Sequence, residues 1–114
     1  MNAGQPRDRR APCERPRALQ GRAAALGGDP GGGLARIEEA LARLQAGSVR
    51  LLRPTFLGFV AEARIALAEP AAAVAAVEEG LAIVASSGDR HFEAELLRLR
   101  GEALRQGQRG LRLA

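Results

Sequence analysis

The sequence predicts an all-α fold, a short α-solenoid of antiparallel helix hairpins with a repeat of about 40 residues. Three observations carry this. Ala, Leu, Arg and Glu, all strong helix formers, dominate the composition, while aromatic residues make up 3% and Trp and Tyr are absent. Aliphatic residues recur at spacings of three and four from Leu34 onward. One segment of the chain also matches another at a fixed offset.

Residues 1–33 hold Pro6, Pro12, Pro16 and Pro30 with seven Gly, a density that breaks helix and strand, so they are expected to form a disordered leader. Within it Arg17 to Leu26 can form a helical turn, and Gly27 to Gly33 reads as a linker. Glycines ahead of a helix can cradle phosphate, but the chain has no Lys to reach one and no preceding strand.

The first helix of the periodic part has the stripe Leu34, Ile37, Leu41 and Leu44 and ends near Gly47. Pro54 is expected to open the second, where its missing N–H costs nothing, with Phe56, Phe59 or Val60, Ala63 and Leu67 buried. Pro70 opens the third, whose stripe is Val74, Val77, Leu81 and Val84, and Ser86-Ser87-Gly88 stops it. Asp89 is the expected N-cap of the fourth, with Phe92, Leu96, Leu99 and Ala103 inward. Gly107 and Gly110 are expected to end it, which divides the chain into a leader (1–33), helical repeats (34–106) and a frayed tail (107–114).

Residues 34–44 and 74–84 align at an offset of 40 with five of eleven positions identical, and the other stripe positions stay aliphatic. At the same offset Ala61-Glu62-Ala63 falls on Gly101-Glu102-Ala103, and Phe56-Leu57 on Leu96-Leu97. Small residues at Ala61, Gly101, Ala73 and Gly80 are expected to let helix backbones approach. One hairpin cannot hide its own apolar surface, so neighbouring repeats must cover it.

The net charge of +4 is uneven. The leader has six Arg against Asp8, Glu14 and Asp29, and the remainder has eleven Arg against ten acids. No basic helix face with stacking aromatics accompanies it, so a nucleic-acid-associated accessory acting through the Arg-rich leader ranks second. Cys13 is single, which excludes an internal disulfide. His91 is the one histidine and has no nucleophile or second ligand beside it in the pattern. The pairs Glu38-Glu39 and Glu78-Glu79 recur with the repeat and read as a solvated polar face, because adjacent helical residues point about 100° apart. Ser86 and Ser87 lack a His-Asp set to activate them. No catalytic, cofactor or metal residues are assigned. No run of 18 apolar residues and no hydrophobic N-terminal segment occurs, so a cytoplasmic protein is expected, without a membrane partner.

Pro54 to Ala63, Glu78 to Leu81 and above all Gly88 to Glu102 resemble the tetratricopeptide-like C-terminal region of large bacterial signalling ATPases. That group includes adenylate or guanylate cyclase-domain proteins and LuxR-type regulators. The resemblance covers about 70 residues, Leu34 to Gln106. It implies a sensory or interaction arm, and it implies that the chain is a fragment of such a protein. Where that family has a turn glycine before the proline, this chain has Ala68-Glu69.

The function expected is therefore a non-catalytic protein-protein interaction scaffold. At the 40-residue offset Leu97, Gly101 and Leu104 stand where Leu57, Ala61 and Arg64 meet the next helix, so these three form the expected interaction face, for a protein partner or for self-association.

Overall fold

The structure, a computed structural model, describes residues 5–44, 49–88, 90 and 92–113, with side chains for 14–44, 51–88, 90 and 92–111. Among these are five helices and no strand: α1 (Gln5–Leu26), α2 (Pro30–Ala42), α3 (Val49–Ala66), α4 (Pro70–Ser87) and α5 (Glu93–Leu113). The protein is all-α. Asp89, His91 and Gly47 lie outside the described residues, as does the side chain of Cys13.

The disordered leader is corrected. Residues 5–26 are helical, and Pro6, Pro12 and Pro16 all precede Arg17, leaving Arg17 to Leu26 unbroken to pack on α2. Ala18 is fully buried and Ala25 nearly so. Glycine makes the packing possible, because the two helices cross where Gly21 faces Gly33. A Cβ on Gly21 would lie 2.7 Å from the Gly33 carbonyl oxygen, and one on Gly33 would run into the Gly21 carbonyl. Counting glycines as breakers missed that these two sit a whole hairpin apart.

The glycine-rich linker is likewise a tight turn followed by the first turn of α2. Asp29 caps α2 by accepting from the Gly32 N–H at 3.0 Å, and Pro30 opens it. The Asp29 N–H reaches back to the Ala24 carbonyl at 2.9 Å, and Gly33 N–H bonds Asp29 O at 2.9 Å. Forty residues later Glu69 N–H bonds Arg64 O at 2.8 Å and Ala73 N–H bonds Glu69 O at 3.1 Å. The turn needs one left-handed residue, which is Gly28 at φ 111° in the first case and Ala68 at φ 59° in the second.

Two other boundaries move. α3 starts at Val49, so Pro54 is inside the helix rather than opening it; there it removes one early backbone bond and is itself buried. α5 runs through Gly107 and Gly110 to Leu113, which corrects the frayed tail. Adding residues to an established helix is cheap, and Gln106 ties α5 down by donating to the Ile65 carbonyl of α3 at 2.9 Å. Pro70 opens α4 and Gly88, at φ 79°, caps it as expected.

Each even helix lies between two odd ones: α2 touches α1 and α3, and α4 touches α3 and α5. The odd helices also touch in sequence. The core follows the predicted stripes, with Ile37, Phe56, Val77, Val84, Leu96 and Leu99 fully buried at its centre. Burial of each is worth about 1.5 to 3 kcal/mol.

The glutamate pairs are more than a solvated face. Glu39 accepts from Arg17 of α1 at 2.8 Å while Glu38 meets Arg64 of α3 at 3.1 Å. Glu79 accepts from Arg53 of α3 at 2.8 Å while Glu78 meets Arg100 of α5 at 2.9 Å. The divergence of adjacent helical side chains sends one carboxylate to each flanking helix. α4 has a mean hydropathy of 1.3 over 18 residues, enough by length and composition for a membrane span, yet this same helix carries the charged pair at its middle.

Candidate functional site

The outward side of α5 is a second apolar stripe, distinct from the inward one. Ala94, Leu97, Gly101, Leu104 and Leu111, with polar Gln108 between the last two, alternate at spacings of three and four, the seam spacing of a helix that packs closely on another. Leu97 is 48% exposed, Leu104 49% and Leu111 79%. At the 40-residue offset the counterparts of Leu97 and Gly101 differ sharply, since Leu57 is 5% exposed and Ala61 is fully buried where α4 lies over α3, while Leu104 falls on Arg64, which is half-buried and bound to Glu38 and Glu69. At Leu97, α5 presents to solvent what α3 buries at Leu57.

Gly101 carries a correction. A Cβ there would meet only the Arg105 guanidinium, at 3.4 Å, so no neighbouring backbone requires glycine at this position. It is small in a register that is tight only where a helix covers it, as at Ala61.

Beside Leu104 the stripe opens into a groove of about 300 Å³ between the start of α4 and the end of α5. Its walls are Pro70, Ala71 and Val74 on one side and Ala103, Leu104 and Leu111 on the other. Sequence reasoning found Leu97 and Leu104 but missed the α4 wall and Leu111, having ended the helix at Gly107. Continued three-four spacing past Gly107 was the available signal.

Charge edges the same face. Arg98 is held by Glu95 at 2.7 Å and Glu102 at 3.1 Å, and this bonding pushes its pKa up and the Glu95 carboxyl below the usual carboxylate range. Arg105 and Arg109 follow on the same side of α5, and neither meets a carboxylate among the described residues.

A second concavity, of about 370 Å³, lies where α1, α3 and α5 meet, lined by Arg22, Thr55, Phe59, Glu62, Phe92 and Glu95. Its charged groups are engaged, Glu62 with Arg22 and Glu95 with Arg98. Arg22 donates to Glu62 at 2.7 Å and 3.3 Å and stacks over Phe59 at 5.3 Å, and the Glu62 bond raises its pKa. These contacts fasten α1 to α3. Among the described residues no three His, Cys, Asp or Glu side chains gather as a metal site.

Comparison of the chain with protein-family models, with curated proteins and with solved structures gave no match in any of the three.

Proposed function

We propose that this protein is a non-catalytic scaffold that holds another protein on the outward face of α5, and that its helices are successive members of a tetratricopeptide-like α-solenoid. The observation that carries the reading is the contrast between exposed Leu97 and its covered counterpart Leu57, with exposed Leu104 continuing the same seam. Leu97 and Leu104 are already half covered, so covering the rest is worth about 1 kcal/mol per side chain, a standing incentive to associate. The solenoid part is supported by turn hydrogen bonds that recur 40 residues apart and by glutamate pairs that link each even helix to both neighbours. The resemblance of Gly88 to Glu102 to the repeat arm of bacterial signalling ATPases supports placing the scaffold in a cytoplasmic signalling polypeptide. The nucleic-acid reading is less favoured, since Arg17 and Arg22 of the leader are engaged with Glu39 and Glu62.

The test is site-specific photocrosslinking in cells, with a photoreactive residue at position 97 or 104 and a control at exposed Ala82 on α4. Discrete protein adducts at 97 and 104 but not at 82 are expected. Equal labelling at all three positions would remove the basis for the reading.

A further inference from the structure

The α5 face has a chemical specification, because the chain covers the same register twice with its own helices. α2 lies over α1, with Gly33 and Ile37 against Gly21, and α4 lies over α3, with Gly80 between Leu57 of α3 and Leu96 of α5; these residues and, in the same register, Ala40, Ala73 and Val77 are buried. Each covering helix begins with proline, alternates small and aliphatic residues at spacings of four and three, and brings a glutamate pair to flanking arginines. The small residues permit the close crossing. On α5 the same register is Leu97, Gly101 and Leu104, with Arg105 and Arg109 along one edge and no acid opposite them among the described residues.

We propose that the occupant of this face is an amphipathic helix of a partner protein, with a small-aliphatic-small stripe on the seam and carboxylates facing Arg105 and Arg109. This deepens the scaffold reading and rests on it. Charge and the chain's own covering helices select this occupant: Arg105 and Arg109 meet no carboxylate among the described residues, and α2 and α4 each bring a small-aliphatic-small stripe with glutamates to the odd helix they cover. The groove walled by Pro70, Val74 and Leu111 lengthens the apolar floor beyond Leu104, enough for a further turn of the bound helix.

The probe is a fluorescein-labelled peptide with the sequence of residues 69–88, which carries the α4 stripe, three Glu and no basic residue. A second peptide has the three Glu replaced by Lys, and a third has Val77 replaced by Asp. Fluorescence anisotropy with the full chain at low salt should show the acidic peptide binding at least tenfold more tightly than either variant. Leu104→Glu should weaken it at least tenfold, and Arg105→Glu with Arg109→Glu should reverse the preference between acidic and basic peptides. All three positions are exposed, so circular dichroism of these variants should match the parent. Acidic and basic peptides binding within twofold of each other would overturn the proposal. So would unchanged binding to Leu104→Glu, which would show the peptide replacing α4 instead. Sedimentation of the parent as a dimer that Leu104→Glu converts to monomer would make a second copy the occupant. Photocrosslinks at 97 and 104 without acidic-peptide binding would sink this inference alone, whereas loss of both would sink the scaffold reading too.

Discussion

Replacing Gly33 by alanine tests the α1–α2 crossing by the sign of its effect. Glycine inside a helix costs about 1 kcal/mol relative to alanine, so in an unpacked linker the change would stabilise or do nothing. At the crossing, the new methyl would run into the Gly21 carbonyl and lie 2.7 Å from the Ala25 nitrogen and 2.8 Å from its Cβ. None of these atoms can rotate away. α1 must move as a body, loosening Ala18, Ala25 and Ile37, and overpacking of this kind costs about 1 to 3 kcal/mol. Gly31→Ala is the control, since a Cβ there meets no atom within 4 Å. The difference between the two variants should be about 1 to 3 kcal/mol, with Gly33→Ala the less stable. In a domain of this size that is a shift of roughly 4 to 12 °C in Tm. Thermal and urea melts followed at 222 nm measure it. Equal stability of the two variants, or a more stable Gly33→Ala, would mean that α1 does not pack on α2 at this point.

Ile37→Asp and Val77→Asp should each cost about 4 kcal/mol or more, since both positions are fully buried and neither offers a partner for a charge; a melt showing either as neutral would misplace the helix register. Ala68→Gly should stabilise by about 1 kcal/mol, because alanine is held at φ 59° where glycine pays no steric penalty, and an unchanged Tm would count against that turn. On acidification, the Glu95–Arg98 pair should give up its contribution. A carboxyl held below its unfolded value stabilises fully above about pH 4.3 and loses that stabilisation as pH falls through the lowered value. Both side chains are a third or more exposed, so the loss is about 0.2 to 1 kcal/mol, and Arg98→Ala should flatten the stability–pH curve below pH 5 by that amount.

The helices that sequence alone could locate were those whose stripe and punctuation agree. In α4 the proline at its start, the aliphatic stripe and the glycine at its end point to the same boundaries, and the structure keeps them. α1 was illegible because its breakers and its packing device are the same residues. Gly21 and Gly33 destabilise an isolated helix, yet they are what allows two helices to cross at backbone distance. A one-dimensional reading registers the first effect and has no term for the second. The 40-residue offset does contain the answer, since Gly21, Ala61 and Gly101 fall on one another, as do Gly33 and Ala73. Aligning only segments after Leu34 left the first member of each set unread.

The glutamate pairs show a related limit and bear on how the outward face should be read. Adjacent carboxylates on a helix diverge by about 100°, which rules out joint chemistry on one substrate and makes a solvated face the simplest assignment. When the helix lies between two others, the same divergence aims each carboxylate at a different neighbour, and Glu38-Glu39 and Glu78-Glu79 do this. The bridges are exposed and individually worth about 1 kcal/mol or less, too little to hold the stack. Their effect is to reinforce the register that the apolar stripe sets: a rotation by one residue would turn both carboxylates from their arginines and take Ile37 or Val77 out of the core as well. The same reasoning applies to Arg105 and Arg109 on α5. They add little affinity by themselves, and they would favour one orientation of an incoming helix among the several that the leucine seam could accept.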